Sequence, residues 1–335
     1  MLDIHYLQDE IKRLLKKKES LTELIRRQSI HLILMSESDL RRDEIQYQLE
    51  ERQTELEEVK DQMASSQRLM LYKSLMSLDY HDHTNLFQNF SRTYHVGAFM
   101  LHGSIKSNHH YRGYSVRALL KRLVYITPNS GVTPLMHRDL SSPIQSNDVD
   151  ALWRALAAEV KLGPYAKRED IIKRICRRLQ AENVILVFRG VDFVPEECLR
   201  RLIQDFWGPL ATEAQKAQHS GRFLLLMFLV DYSGRVKDWE IACAEWPDEG
   251  AWKPDIPIRL PIVARFSNRD LSGWMEQWSE TLFDILPDDL KQGPLEYRIQ
   301  NILNKSSNGD PDLVMWYICN RCGHLLEGAE ECLRL

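Results

Sequence analysis

The sequence predicts an α/β fold: a parallel sheet with helices on both faces, preceded by an α-helical hairpin and followed by a helical C-terminal part. Three observations carry this. Residues 1–68 contain no Gly, Pro or Trp and repeat apolar residues at helical spacing. From about residue 92, short runs that are apolar throughout alternate with amphipathic stretches, as strands covered on both faces require. From Ser267 onward the pattern is mostly helical.

In the first segment Ile4, Leu7, Ile11, Leu14, Leu21 and Ile25 fall on a seven-residue register, with Lys18 and Gln28 as polar interruptions. A second run follows at Ile45, Leu49, Leu56, Val59 and Met63. Ser36-Glu37-Ser38-Asp39 between them is rich in helix N-cap types. Residues 1–68 are therefore expected to be a helical hairpin of coiled-coil character. Two helices cover only one side of each other's stripe, so such a hairpin packs on something else. The functional reading is an interaction module; the plain one is a solvated helical spacer. Residues 69–91 are expected to be a connecting helix.

The main domain is expected over 92–335, with the sheet over about 92–262 and the helical part over about 263–335. Its strands are expected at 96–101, 183–188 and 223–230. The run 256–262 (IPIRLPI) reads as a short edge strand, because two prolines do not fit a central one. Helices are expected at 115–124, 149–160, 169–179 and 196–210, and residues 127–148 read as loop.

Composition narrows the function. The 335 residues are 44% hydrophobic and 27% charged, with a formal net charge of −4. That balance gives no sign of a nucleic-acid binder. The most apolar run, 223–230, is too short to cross a membrane, and the charged N-terminus is unlike a signal peptide. A cytoplasmic protein with its six cysteines reduced is expected.

A strand that ends in Gly and leads into a helix is where P-loop proteins cradle phosphate. AFMLHG (98–103) followed by Gly113 has this frame, with Gly103 first and Gly113 second. The loop between them, SIKSNHHYR, is longer than the four residues such a loop uses. Tyr114 stands where the phosphate-binding Lys belongs, and Ser115 follows it. Lys106, Arg112 and Arg117 are the nearby cations. The second strand ends in Arg189-Gly190, with Asp192 beyond, where an acidic residue is needed to serve the metal. Gly103, Lys106, Gly113, Tyr114, Ser115 and Asp192 thus mark a degenerate nucleotide site, with no catalytic residue, metal or cofactor expected.

The chain resembles the inactive STAND family, degenerate relatives of the STAND signalling P-loop NTPases. The matching stretches are LDYHDHTNLFQNF (78–90), AFMLHG (98–103), RALLKRLV (117–124), NVILVFRGVD (183–192), LIQDFWGPL (202–210), RFLLLMFLVDYSGRVKDW (222–239) and DPDLVMWYICNRCG (310–323). Together they span about 70–330. The long insertion between Gly103 and Gly113 is a departure. The resemblance implies a STAND-like fold with a lost ATP site and an effector-associated or adaptor module at the N-terminus. It also implies an adaptor role in bacterial signalling or in conflict systems of the anti-phage type.

Other constellations weigh less. Cys319, Cys322, His324 and Cys332 could suggest zinc, but the first pair closes an apolar helical run and reads as buried helical cysteine. His81-Asp82-His83 and His109-His110 read as surface turns. Trp274 and Trp278 share a helix face and are expected to fill the core between the sheet and the C-terminal helices. The resulting expectation is a non-catalytic scaffold whose N-terminal helices recruit protein partners or a second copy. The alternative is a nucleotide sensor that binds ATP or ADP without efficient hydrolysis, using Lys106, Arg112 and Arg117. An enzymatic N-terminal module is disfavoured, since a two-helix hairpin does not exclude water from a site.

Overall fold

Two long helices open the chain, α1 (Ile4–Leu34) and α2 (Arg42–Leu75). The structure, a computed structural model, describes residues 4–35, 41–78, 80–103, 113–128, 135–141, 148–217, 223–245 and 253–324. α1 buries Leu7, Ile11, Leu14 and Leu21, the residues of the heptad register. Leu14 and Leu21 pack on Val59 of α2, with Leu56 and Met63 against them. The polar interruption at Gln28 is answered across the hairpin, where its amide donates to Gln48 Oε1 at 3.1 Å. Lys17 pairs with Glu55 at 2.8 Å on the solvent side.

α2 does not stop at residue 68. RLMLYKSL contains no helix breaker, so the helix continues to Leu75, and every residue from Met70 to Leu75 is buried. Helix α9 (Asn268–Trp278) carries Trp274 and Trp278. Their indoles donate to Ser74 O at 2.9 Å and Ser77 Oγ at 2.6 Å. These tryptophans therefore cap the end of α2, where sequence reasoning had set them between the sheet and the C-terminal helices. The chain divides into two compact units. One holds the residues up to Ser77, Gly273–Pro294 and the stretch from Cys319; the other holds Leu78–Ser272 and Leu295–Ile318.

The second unit contains α3 (His81–Thr93), β1 (Val96–His102), α4 (Tyr114–Ile126), β2 (Met136–Asp139), α5 (Val149–Glu159), α6 (Arg168–Arg178) and β3 (Val184–Arg189). After these come α7 (Glu196–Arg201), α8 (Gly208–Ala217), β4 (Leu225–Asp231) and β5 (Ile258–Arg259). The short α10 (Asp288–Lys291), α11 (Leu295–Lys305) and α12 (Pro311–Arg321) complete the chain's helices among the described residues. The strands form one all-parallel sheet in the order β2-β3-β4-β1-β5. β1 and β4 are buried along their whole length. That is why they read as unbroken apolar runs rather than as alternations.

The two faces of the sheet have different cores. Ala98, Met100, Met227, Leu229 and Phe188 look toward Trp153, Ile175, Phe206 and Trp207 of the helices on one side. On the other, Phe99 and Phe228 stack at 5.7 Å, with Phe87 and Phe90 of α3 at 5.3 and 4.8 Å from Phe99. Gly97 admits this packing, since a Cβ there would lie 2.3 Å from Phe90 Cζ.

Two expectations need correction. Residues 127–148, read as loop, contain β2, which pairs with β3 from Met136↔Leu186 to Asp139↔Arg189. Met136-His-Arg-Asp139 is short, polar and half-buried on an edge, so it carries no apolar run. The helix expected over 196–210 reaches Ala217, with a π-helical stretch over Leu202–Trp207. That wider turn buries the consecutive Phe206 and Trp207 together, and the Trp207 indole donates to Pro254 O at 2.8 Å.

Candidate functional site

The start of α4 is built from β1 outward. β1 ends at His102, and Gly103 N donates to Asp231 O of β4 at 2.8 Å. The backbones are so close there that a Cβ on Gly103 would sit 2.4 Å from Tyr232 O. Gly113 then forms the N-cap of α4 with φ of 86°. This left-handed conformation suits glycine, and a Cβ would also run into the Tyr232 ring at 2.4 Å. Tyr232 thus lies directly on Gly113. Arg117 of α4 lies over the same ring, 4.8 Å from its centroid and 5.7 Å from that of Tyr114.

A helix start leaves backbone N–H groups without intrahelical partners, and Gly113 has no side chain to serve them. They are served from far along the chain. Gly113 N donates to Asp312 Oδ2 at 3.0 Å and Ser115 N to Asp312 Oδ1 at 2.7 Å. Asp312 is fully buried in the first turn of α12. Burial raises its pKa, with Asp310 adding to the rise, and the bonds from Ser115 and Gly113 pull it back only in part. Ser115 is also fully buried; its Oγ lies close enough to the carboxyl to favour the charge but meets no partner at hydrogen-bond geometry. The Tyr80 hydroxyl donates to Ser115 O at 3.1 Å.

The neighbouring strand ends are equally occupied. His102 Nδ1 pairs with Asp231 Oδ2 at 2.8 Å, both side chains fully buried. Asp231 also accepts from Ser233 N at 3.0 Å and Val236 N at 2.9 Å, which fixes the turn after β4. His102 Nε2 is buried with no hydrogen-bond partner among the described residues. Asp192 lies in the 3₁₀ turn after β3, where its Oδ1 accepts from Tyr232 N at 3.1 Å. Its pKa is raised, chiefly by burial, with Asp231 adding to the rise and Ser233 and Tyr232 opposing it. β3 ends at Arg189, whose guanidinium is 3.7 Å from Asp139 of β2.

The structure therefore brings Gly103, Gly113, Tyr114 and Ser115 to one corner around Tyr232, and sets Asp192 against the same loop from the β3 side. Lys106 lies outside the described residues, as do Arg112, His109, His110 and Cys332. Asp231-Tyr232 is visible from sequence as the polar end of the third expected strand, but the role of Asp312, the packing of Tyr232 on Gly113 and the pairing of His102 with Asp231 are not read from it. DPD at 310–312 reads as an ordinary helix start, and nothing local tells that its second aspartate faces α4.

Among the described residues the corner offers no ammonium group: Tyr114 follows Gly113, β3 ends in Arg189, and the N–H groups of Gly113 and Ser115 already donate to Asp312. Elsewhere, His83 is buried in the first turn of α3 with its Nε2 2.7 Å from Pro261 O, so the expected surface turn is in part core. Cys319 is buried and Cys322 half-buried, and burial pushes the Cys322 thiol up to about 12. No helix among the described residues is long and apolar enough to cross a membrane.

No curated protein matches the chain. Residues 75–230 match the family model described as iSTAND, inactive STAND. This stretch runs from the end of α2 to the last residues of β4 and holds β1, α4, β3 and Gly113, while Tyr232 and Asp312 lie beyond it. Over residues 75–230, a little under half of the chain, the sequence is thus similar to the inactive STAND family.

Proposed function

We propose that the chain is a non-catalytic scaffold, an adaptor that recruits protein partners through its N-terminal helices and self-associates through them. The setting is bacterial signalling or an anti-phage conflict system, in the cytoplasm. Residues 1–68 act as the interaction module, the end of α2 connects it, and the inactive STAND part begins near residue 75. The observation that carries the reading is the chemistry of the Gly113 corner. A triphosphate needs an ammonium group and converging free N–H donors there; Tyr114 supplies an aromatic ring, and Tyr232 packs on the glycine. What supports recruitment by the hairpin is its exposed apolar end, where Ile33, Leu34 and Tyr47 are 79%, 78% and 69% exposed.

Calorimetric titration of the full chain with ATP, ADP and GTP, with phosphate release followed alongside, tests the reading. No heat of binding and no phosphate release are expected. A nucleotide bound tighter than about 100 µM, about 5.5 kcal/mol, would replace the scaffold with a sensor. Recruitment itself is tested with Ile33→Glu/Leu34→Glu, which should lose self-association in sedimentation while keeping the fold.

A further inference from the structure

We propose that Asp312 is the resident occupant of the anion cradle. Its carboxyl group, tethered on α12, fills the place of a phosphate at the start of α4 and so pins residues 310–318 to the sheet domain with no nucleotide bound. The inference rests on the scaffold reading and adds what has taken the ligand's place.

Three features of the corner support it. First, the two carboxyl oxygens divide the two donors between them, Oδ2 with Gly113 N at 3.0 Å and Oδ1 with Ser115 N at 2.7 Å. This is the way an oxyanion sits on a helix N-terminus. Second, Asp312 has no duty to its own helix. Asp310 caps α12 by accepting from Leu313 N at 3.1 Å, and Pro311 occupies the first helical position, where a missing N–H costs nothing. The carboxyl of Asp312 is thus free to face α4, and the positive ends of two helices converge on it. Third, the Ser115 hydroxyl is fully buried beside the same carboxyl and close enough to favour its charge, so a further polar group of the corner faces Asp312.

The geometry also explains how a glycine-capped helix tolerates a closed corner. Buried N–H groups without acceptors are strongly disfavoured, and here the acceptor lies some 200 residues away in sequence, delivered by the fold.

Amide hydrogen exchange on the full-length protein tests this, with Asp312→Ala and Asp312→Asn as variants. In the wild type the amides of Gly113 and Ser115 should exchange as slowly as those of β1. In Asp312→Ala they should exchange at least about tenfold faster. Sodium formate, which supplies the missing carboxylate, should restore their protection in that variant and leave the wild type unchanged. Sodium chloride at the same ionic strength should not. Asp312→Asn keeps one acceptor oxygen and should expose one of the two amides; it is the variant to read if Asp312→Ala does not fold. Free exchange of both amides in the wild type, unchanged protection in either variant, or rescue by chloride equal to that by formate would each overturn the proposal. Nucleotide bound at Gly113 in the wild type would overturn the scaffold reading as well, whereas unprotected amides without nucleotide would sink this inference alone.

Discussion

Helices α4 and α5 both begin under an aspartate, and they obtain it in opposite ways. Asp148 is the N-cap of α5; its side chain accepts from Asp150 N at 2.9 Å and from Arg154 at 2.9 Å, in solvent. α4 begins on Gly113, which has no side chain to offer, and takes its aspartate from α12. A local cap stabilises its own helix alone. An imported cap makes the first turn of α4 and the first turn of α12 depend on one another, so a single carboxyl couples local structure to tertiary structure.

The largest expected effect follows from that coupling. Asp312→Ala leaves two buried N–H groups without an acceptor and should lower the unfolding free energy by about 3 kcal/mol, read from urea denaturation. Gly113→Ala comes next. A left-handed φ and contact with the Tyr232 ring should cost about 2 kcal/mol, and Tyr232→Ala should relieve the steric part of that loss if the ring is its cause.

Smaller, and opposite in sign, are the pH responses of the two aspartates. Burial raises the pKa of Asp312, so the folded state holds its proton more tightly than the unfolded state. The stability it contributes is full below the ordinary aspartate value of about 3.9 and is lost as pH rises through the folded pKa. For Asp148 the slight burial would raise the pKa, but the bonds from Asp150 N and Arg154 outweigh it and the net shift is down. Its contribution is present above about 3.9 and is lost as pH falls through the folded pKa. The advantage of wild type over Asp312→Asn should therefore narrow with rising pH, and that over Asp148→Asn with falling pH. Parallel slopes would erase the contrast between the caps. The smallest effect is that of Asp148→Ala, no more than about a third of the Asp312→Ala loss, confined to faster amide exchange within the first turn of α5.

How much of this the sequence reveals depends on range. β1, β3 and β4 are legible because strands buried on both faces must be apolar at every position. The prolines at 257 and 261 correctly mark β5 as an edge. β2 is not legible: an edge strand of four residues with one buried side chain leaves no periodic trace. Gly113 is visible as a glycine that opens a helix after an apolar strand, because that pattern is local. The Asp312 contact is invisible for the opposite reason, since no spacing rule links position 312 to position 113. The Tyr232 ring on Gly113 is hidden in the same way, as a consequence of β4 lying beside β1.

The borders of the sheet limit how anything can join it. On one side β5 holds two residues between prolines, and its outer backbone is already engaged by Ala244, which donates to Pro257 O at 2.8 Å and accepts from Arg259 N at 2.7 Å. On the other, β2 is four residues long and carries Arg138 and Asp139. A partner offering an extended peptide finds no long, unoccupied row of backbone groups at β5, and only a short charged one at β2. Among the described residues, then, neither border of the sheet offers a long open edge for strand addition.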